Sequence, residues 1–598
     1  MSQLVVVQGP DTLTVQRVFE RLLFVFESVC GLQPTDQLLH DGTAVAKFPR
    51  LRKHEIPIAR AADSSGTWIC TAGTAFWRGR SSADALTELA TRWNRLRPEV
   101  MSRDLQEADG PFVLAAGAGS PDGGVLVATD RLGTLHAYTA TADSCTVLCT
   151  SSLVLAAWLR PEWQADSCRE FLSTGTVFGQ RSLFRGIEKL GPAQIFELRN
   201  GRLNPRSRYW DLAQVMTSRS TDCKTIPAIA EALTSSLRMI TSSFPNALFD
   251  LTGGFDSRIV AGAMLKVHSG FSTVVVGSPE NADVKIAGEI AAVMRLRHQR
   301  VESGPDEMES LLRALAVCDG ECDLVDYSRT MRVHECLAPL YDASVNGSNG
   351  EIAKGYWWEL LFPYTGRNGH FDEKKLAAKR FAEGTDATEL LSMKFGTTLT
   401  DHFAELIREA GRGFEHHPNT AKMDNIYLTL RMQQWQGRIA SATSRIWPCV
   451  SPFMWRQPME LILATPPAAR VRHRLSRRII EHLNPELAAL PMEQGYPALP
   501  LRLNTAHRFG PLLREIAGKA MSRIPRPMNT AVLTLKSQKT IWNDQGLREL
   551  MQPGHMVTRD LYRHTTLAEL LRPPFRQQDL LNRVVTLELL GRRLRVAG

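Results

Sequence analysis

From Ile226 the chain alternates short apolar runs with stretches of helical period. "IAEALTSSLRMI" carries apolar residues at helical spacing, "ALFDL" reads as a strand and "SRIVAGAMLKV" as a helix. "FSTVVVG" is a second strand, "ADVKIAGEIAAVMRL" a helix, "HQRVES" a third strand and "DEMESLLRALAV" a further helix. Strands alternating with helices predict a parallel α/β sheet covered on both faces. Before about Tyr209 the rhythm differs. "GTWICTAGTAFW", "GPFVLAAGAGSPDGGVLVATD" and "TLHAYTATADSCTVLCTS" are short apolar or alternating runs cut by Gly, Pro, Asp and Ser, as in antiparallel hairpins. Helical periods interrupt at residues 16–29 and 83–94. The pattern predicts an α/β chain in two units: a β-sandwich with helices over residues 1–210 and a parallel α/β unit over 224–598. Between them "DLAQVMTSRSTDCKT" (211–225) is polar and reads as a linker. From about Lys374 the chain reads as mostly helical, and no internal repeat or low-complexity segment stands out.

A chain of 598 residues, 43% hydrophobic, can bury several cores. Net charge is +9, but the 71 basic and 62 acidic side chains are intermixed. The densest basic stretch is "ARVRHRLSRR" (469–478), read first as a solvated helix face and second as a surface for an acidic or phosphorylated partner. No nucleic-acid-binding module accompanies it, so no nucleic-acid partner is expected. The ten cysteines lack paired zinc spacing, and free thiols in a reducing compartment are expected. "MSQLVVVQGPD" is no signal sequence and no run of about 20 apolar residues occurs, so a cytoplasmic chain without a membrane span is expected.

The candidate chemistry lies in "ALFDLTGGFDSRIVAGAML". A strand that ends in paired glycines and opens a helix lets an oxyanion approach the backbone and meet the helix N-terminus. Thr252 and Ser257 add hydroxyls, and Asp256 suits the site if Mg2+ bridges it to phosphates. The loop is neither a Walker A motif nor G-x-G-x-x-G. The competing reading is a tight strand–helix turn with glycine for geometry.

"LTGGFDSR" resembles the S-G-G-x-D-S pyrophosphate loop of ATP pyrophosphatases in the asparagine synthetase superfamily, with Thr252 for the first Ser. Two more segments agree in order. "FSTVVVGSPENADVKIAGEIAAVM" is similar to the family's next strand and helix, where backbone at Val276 and Gly277 is implied to contact adenine or ribose and Asp283 opens the helix. "ASVNGSNGEIAKGYW" is similar to its glycine-rich loop, where Glu351 takes the place of the acid that helps hold Mg2+. Phe171–Leu198, "DGPFVLAA" and "ATDRLGTLHAY" resemble the amidotransferase domain that precedes the synthetase domain in the family, and "WPCVSPFM" its C-terminal helices. The resemblance implies bound ATP and Mg2+, with Leu251, Thr252, Gly253, Gly254, Asp256, Ser257, Val276, Gly277, Gly347 and Gly350 around the nucleotide and Asp256 and Glu351 on the metal.

Three departures shape the implied function. Glutamine-using relatives need Cys after Met1, and Ser2 stands there, so a glutaminase-inactive first domain is expected. Where asparagine-forming relatives carry Glu and β-lactam-forming relatives Tyr, Ser348 stands, and the loop is one residue shorter before Gly355-Tyr356. Where relatives carry a Lys against pyrophosphate, "LPMEQGYP" offers Gln494, with Lys354 and Arg438 as substitute cations. The profile implies an ATP-dependent carbon–nitrogen ligase that releases AMP and pyrophosphate, acting on a peptide or small-molecule carboxylate. Macrolactam closure of a lasso-type peptide, beside a leader-peptide protease, is the first expectation. The alternatives are a β-lactam or other small-molecule amide synthetase, an ammonia-dependent asparagine synthetase, and a non-catalytic regulatory homologue.

Overall fold

Strands between Gln3 and Arg208 form two six-stranded antiparallel sheets stacked face to face. The computed structural model describes residues 3–52, 56–63, 65–94, 96–118, 124–217, 225–304, 306–493, 495–510, 542, 544–573, 575 and 577–596. In the first sheet Gln3–Gln8 pairs with Thr43–Phe48 and Cys145–Cys149; in the second Phe112–Gly117 pairs with Trp68–Gly73 and Val125–Thr129. Side chains alternate along a strand, so Leu4 and Val6 meet Cys70, Val113 and Val127 between the sheets. Val5 and Val7 point the other way, into the cluster that holds the helix Thr12–Cys30. Helices Ala83–Arg92 and Pro98–Leu105 pack with the second sheet. The result is the expected sandwich with helices.

The second half carries a five-stranded parallel sheet. Across it run Arg297–Val301, Ser272–Val276, Leu248–Asp250, Ser344–Val345 and Cys449–Val450. In chain order this is third, second, first, fourth, fifth. The direction of winding therefore reverses between Leu248–Asp250 and Ser344–Val345, and a doubly wound sheet opens its crevice at such a switch point. Phe249, Val275, Ile259, Ala263, Ile286 and Ile290 build the core between this sheet and its helices.

Two readings change. The segment 469–478 is not simply a solvated face, because Arg470 is 1% exposed and Arg477 8%. Both guanidiniums are bonded inside the protein: Arg470 pairs with Asp424, and Arg477 donates to the Pro497 and Leu499 carbonyls at 2.7 and 2.8 Å. The region after Lys374 also includes the last strand of the sheet, Cys449–Val450, and a ten-residue π-helix, Tyr427–Gln436. The linker begins as a helix, Leu212–Thr217; residues 218–224, Ser2 and Gln494 lie outside the described residues. All nine described cysteines are free thiols, and no described helix is long and apolar enough to cross a membrane.

Candidate functional site

Leu251 closes the first parallel strand, its N–H donating to the Val274 carbonyl at 2.9 Å. The chain then turns through Thr252, Gly253 and Gly254 and enters the helix Phe255–Leu265. The turn is braced internally. The Thr252 N–H donates to Ser257 Oγ at 3.1 Å, the Gly254 N–H to Thr252 Oγ1 at 3.1 Å, and the two hydroxyls lie 3.0 Å apart. The Gly253 N–H donates to Asp283 Oδ1 at 3.0 Å, reaching the first turn of the helix Ala282–Met294. The opening N–H groups of the Phe255–Leu265 helix have no intrahelical partner and carry the positive end of its dipole.

Beside this turn runs the loop that follows Ser344–Val345. A Cβ on Gly350 would sit 2.5 Å from Asp256 Cγ, and one on Gly347 3.0 Å from Asp256 Cβ. Only glycine lets the two loops approach this closely. Gly350→Ala is therefore expected to push Glu351 away from Asp256 and weaken ATP binding about tenfold or more. Gly288→Ala, with nothing within 4 Å of its Cβ, should leave binding unchanged. Calorimetric titration with ATP and Mg2+ checks both.

The approach sets the electrostatics. Burial pushes Asp256 up to about 7, the charge on Glu351 adds to this, and Lys354 opposes both. Glu351 Oε2 accepts from the Tyr427 hydroxyl at 2.8 Å. Lys354 Nζ lies 5.1 Å from the centroid of the Tyr356 ring, which in turn sits 4.6 Å from that of Tyr427. Thr252, Gly254, Asp256, Gly347, Ser348, Glu351 and Lys354 are all half-buried, whereas Gly253, Ser257 and Gly350 are buried.

These residues fit a magnesium–triphosphate group. Mg2+ takes one or two carboxylates and fills its remaining positions with phosphate and water oxygens. Two neighbouring carboxylates, one of them with its ionised form penalised, suit a divalent cation that would relieve the repulsion. Among the described residues no cluster of three or more His, Cys, Asp or Glu offers a closed metal cage elsewhere.

The structure brings Thr252, Gly253, Gly254, Asp256, Ser257, Gly347, Gly350, Glu351 and Lys354 together at the switch point. Val276 and Gly277 stand at the end of the adjoining strand. There the Gly277 N–H donates to Val301 O at 3.1 Å, and its carbonyl accepts from Arg300 at 3.0 Å. Arg438 is placed elsewhere, beside Cys322, where it helps hold that thiol below its usual range against burial. Its guanidinium lies 5.8 Å from the centroid of the Trp435 ring.

Sequence reasoning missed four groups that reach the site. The π-helix supplies Tyr427 to Glu351, and Gln436, whose Nε2 donates to Ser348 Oγ at 3.4 Å. Arg431, on the same helix, bears on the charge of the Tyr427 hydroxyl. Their spacings of four and five residues suit a π-helix face, a pattern that an α-helical reading passes over. His473, in a left-handed conformation with φ 60°, stacks on Phe255 at 4.3 Å. Burial, Lys354 and Arg477 push it down to about 3, so its imidazole is neutral at physiological pH.

Residues 228–336 match the family model for asparagine synthase. The match spans the Thr252–Ser257 turn and the Val276–Gly277 strand end. It stops short of the glycine-rich loop. No curated protein matches the chain in sequence. Among solved structures, one titled as the allosteric regulatory enzyme of purine biosynthesis is 8% identical, with TM-score 0.24, over 50% of this chain and 80% of its own. Glutamine phosphoribosylpyrophosphate amidotransferase from B. subtilis, complexed with ADP and GMP, is 8% identical, with TM-score 0.23, over 50% of this chain and 65% of its own. Likenesses of this size carry no argument about this chain.

Proposed function

We propose that the chain is an ATP-dependent amide-bond-forming ligase that activates a substrate carboxylate as its adenylate and passes the acyl group to an amine. One observation carries this reading: the turn after the first parallel strand and the loop after the fourth meet at the switch point, with Asp256 and Glu351 held together by Gly347 and Gly350. A bound Mg2+, held by Asp256 and Glu351, would supply charge neutralisation for the triphosphate. Thr252, Gly253, Gly254, Ser257 and the helix N-terminus would bind and orient the pyrophosphate portion. Lys354 would add positive charge beside it. Within this frame a substrate carboxylate oxygen attacks the α-phosphorus and the bond to the β-phosphate oxygen breaks, releasing pyrophosphate. The amine then attacks the acyl carbon and AMP leaves, the amine giving up one proton.

The substrate's own amine is the favoured acceptor. Among the described residues, the cysteines of the antiparallel region are buried or half-buried, and burial pushes the Cys30 and Cys168 thiols up to about 12. Such thiols are poor nucleophiles for releasing ammonia from glutamine. Macrolactam closure of a peptide, an acidic side chain joined to the peptide's own N-terminal amine, meets this requirement; a leader-peptide protease would deliver that free amine.

Pyrophosphate exchange into ATP, with Mg2+ and a panel of carboxylates, tests the proposal. Exchange is expected with peptides that carry an internal Asp or Glu and a free N-terminus. Exchange with small amino acids alone would move the reading to a small-molecule amide synthetase. Aspartate plus ammonium giving asparagine would move it to asparagine formation. Silence with every carboxylate would remove the ligase proposal in favour of a regulatory homologue.

A further inference from the structure

The π-helix Tyr427–Gln436 presents one side to the nucleotide loops, through Tyr427 on Glu351 and Gln436 on Ser348. Helices of this kind are rare and short because the wider turn packs its backbone less well, so an element of ten residues needs support from outside. That support comes from the antiparallel region. His136 Nε2 lies 2.7 Å from the carbonyl oxygen of Gln433. A carbonyl only accepts, so Nε2 carries the hydrogen. Lys189 Nζ donates to Gln434 Oε1 at 2.9 Å.

All four residues are buried, with no water able to replace a lost partner cheaply: His136 is 4% exposed, Lys189 3%, Gln433 3% and Gln434 2%. The grip continues into the next helix, where the His136 N–H donates to Ser441 Oγ at 2.7 Å and that hydroxyl donates to Thr134 O at 3.0 Å. Behind His136, Nδ1 lies 3.2 Å from both Glu321 Oε2 and the Tyr138 hydroxyl, which fixes the ring's orientation. Glu321 is held in turn by Ser152 Oγ at 3.1 Å. A Cβ on Gly437 would lie 2.8 Å from His136 Nε2, so the helix turn closes directly against the ring.

We infer that the antiparallel region serves the ATP site as a clamp, with His136 and Lys189 as positioning residues that hold Gln433 and Gln434 and so set the π-helix that carries Tyr427 and Gln436 onto the Glu351 and Ser348 loop. This rests on the ATP reading above and assigns the first unit a task other than glutamine hydrolysis. Neither residue touches the nucleotide loops. Their influence travels through one helix with a hydrogen-bonded partner on each side.

The test uses the full chain, with three readouts: titration of ATP in Mg2+, hydrogen exchange resolved over residues 427–436, and melting temperature. His136→Leu and Lys189→Met are expected to weaken ATP binding about tenfold and to accelerate exchange in 427–436 before the strands of the sandwich loosen. His136→Gln, whose amide can reach the Gln433 carbonyl, should recover most of the affinity; His136→Asn, with a shorter arm, should not. This pair decides the matter if His136→Leu does not fold. ATP binding and exchange equal to wild type in both apolar variants would overturn the clamp. So would loosening spread evenly over the sandwich, or equal behaviour of the Gln and Asn variants. A wild-type chain that binds no ATP would instead remove the reading on which the clamp rests.

Discussion

Asp256→Asn is expected to abolish ATP-dependent AMP release, by roughly a thousandfold or more, while making the nucleotide-free protein more stable at neutral pH. The two effects share one cause. An unfolded aspartate titrates near 3.8, whereas burial and the neighbouring Glu351 push Asp256 up to about 7 in the folded chain. A carboxyl with a raised value binds its proton more tightly when folded. Its penalty is therefore absent at low pH, grows as pH rises from about 4 to about 7, and is fully present above 7. Asparagine carries no charge at any of these values, so the gain should appear above pH 7 and vanish below about 4. Because Asp256 keeps some exposure, the gain is set at about 1–2 kcal/mol rather than the full shift. Asp250, in the strand just before the loop, is pushed up to about 7 by burial alone. It remains in the variant, so the loss of stability with rising pH should shrink without disappearing. Melting curves at pH 5 and pH 8, with and without ATP and Mg2+, check this. Ligand-induced stabilisation should be large in the wild type and missing in Asp256→Asn. A variant that keeps AMP release, or that is less stable at pH 8, would remove Asp256 from the metal role.

The strand–turn–helix around Asp256 was legible because its signals are local. Apolar residues, two glycines and a helical period follow one another within "ALFDLTGGFDSRIVAGAML". The three strands at one side of the parallel sheet were legible for the same reason. Cys449–Val450 was not, because a strand of two residues is too short to show alternation, and it joins the sheet only through pairing with Ser344–Val345. Its partner strand fixes the switch point, so the crevice emerges only from the assembled sheet. Arg438 and Tyr427 show a second limit. A helical reading assumes one angular step per residue, and ten residues of π-helix take a smaller step, which shifts the phase of everything after them. Arg438 follows that shift and lands beside Cys322, while Tyr427, at its start, reaches Glu351. The inward turn of Arg470 is a third case. A guanidinium in a basic run looks solvated until its carboxylate is known, and Asp424 lies 46 residues away.

Arg470→Met is expected to destabilise the protein by about 3–5 kcal/mol, and a second substitution should separate that loss from the loss of function. Arg470 forms a two-point pair with Asp424, Nη1 to Oδ2 at 2.6 Å and Nη2 to Oδ1 at 3.0 Å, with both side chains buried. Its Nε also donates to the Ile352 carbonyl at 2.9 Å, one residue beyond Glu351. Methionine removes the counter-charge of a buried carboxylate, which is the costly way to break such a pair. Replacing both charges, Arg470→Met with Asp424→Leu, removes the uncompensated charge and should recover most of the stability, as apolar substitutes of similar volume do elsewhere. The Ile352 carbonyl keeps only the long bond from the Gly355 N–H, 3.4 Å, in that double variant, so the loop that carries Glu351 loses its Arg470 anchor. Urea unfolding should therefore show the double variant near wild type, while its affinity for ATP remains about tenfold weaker. A double variant that recovers stability and affinity together would mean that Arg470 only neutralises Asp424. A single variant that loses less than about 1 kcal/mol would mean that the pair is not the anchor of this loop.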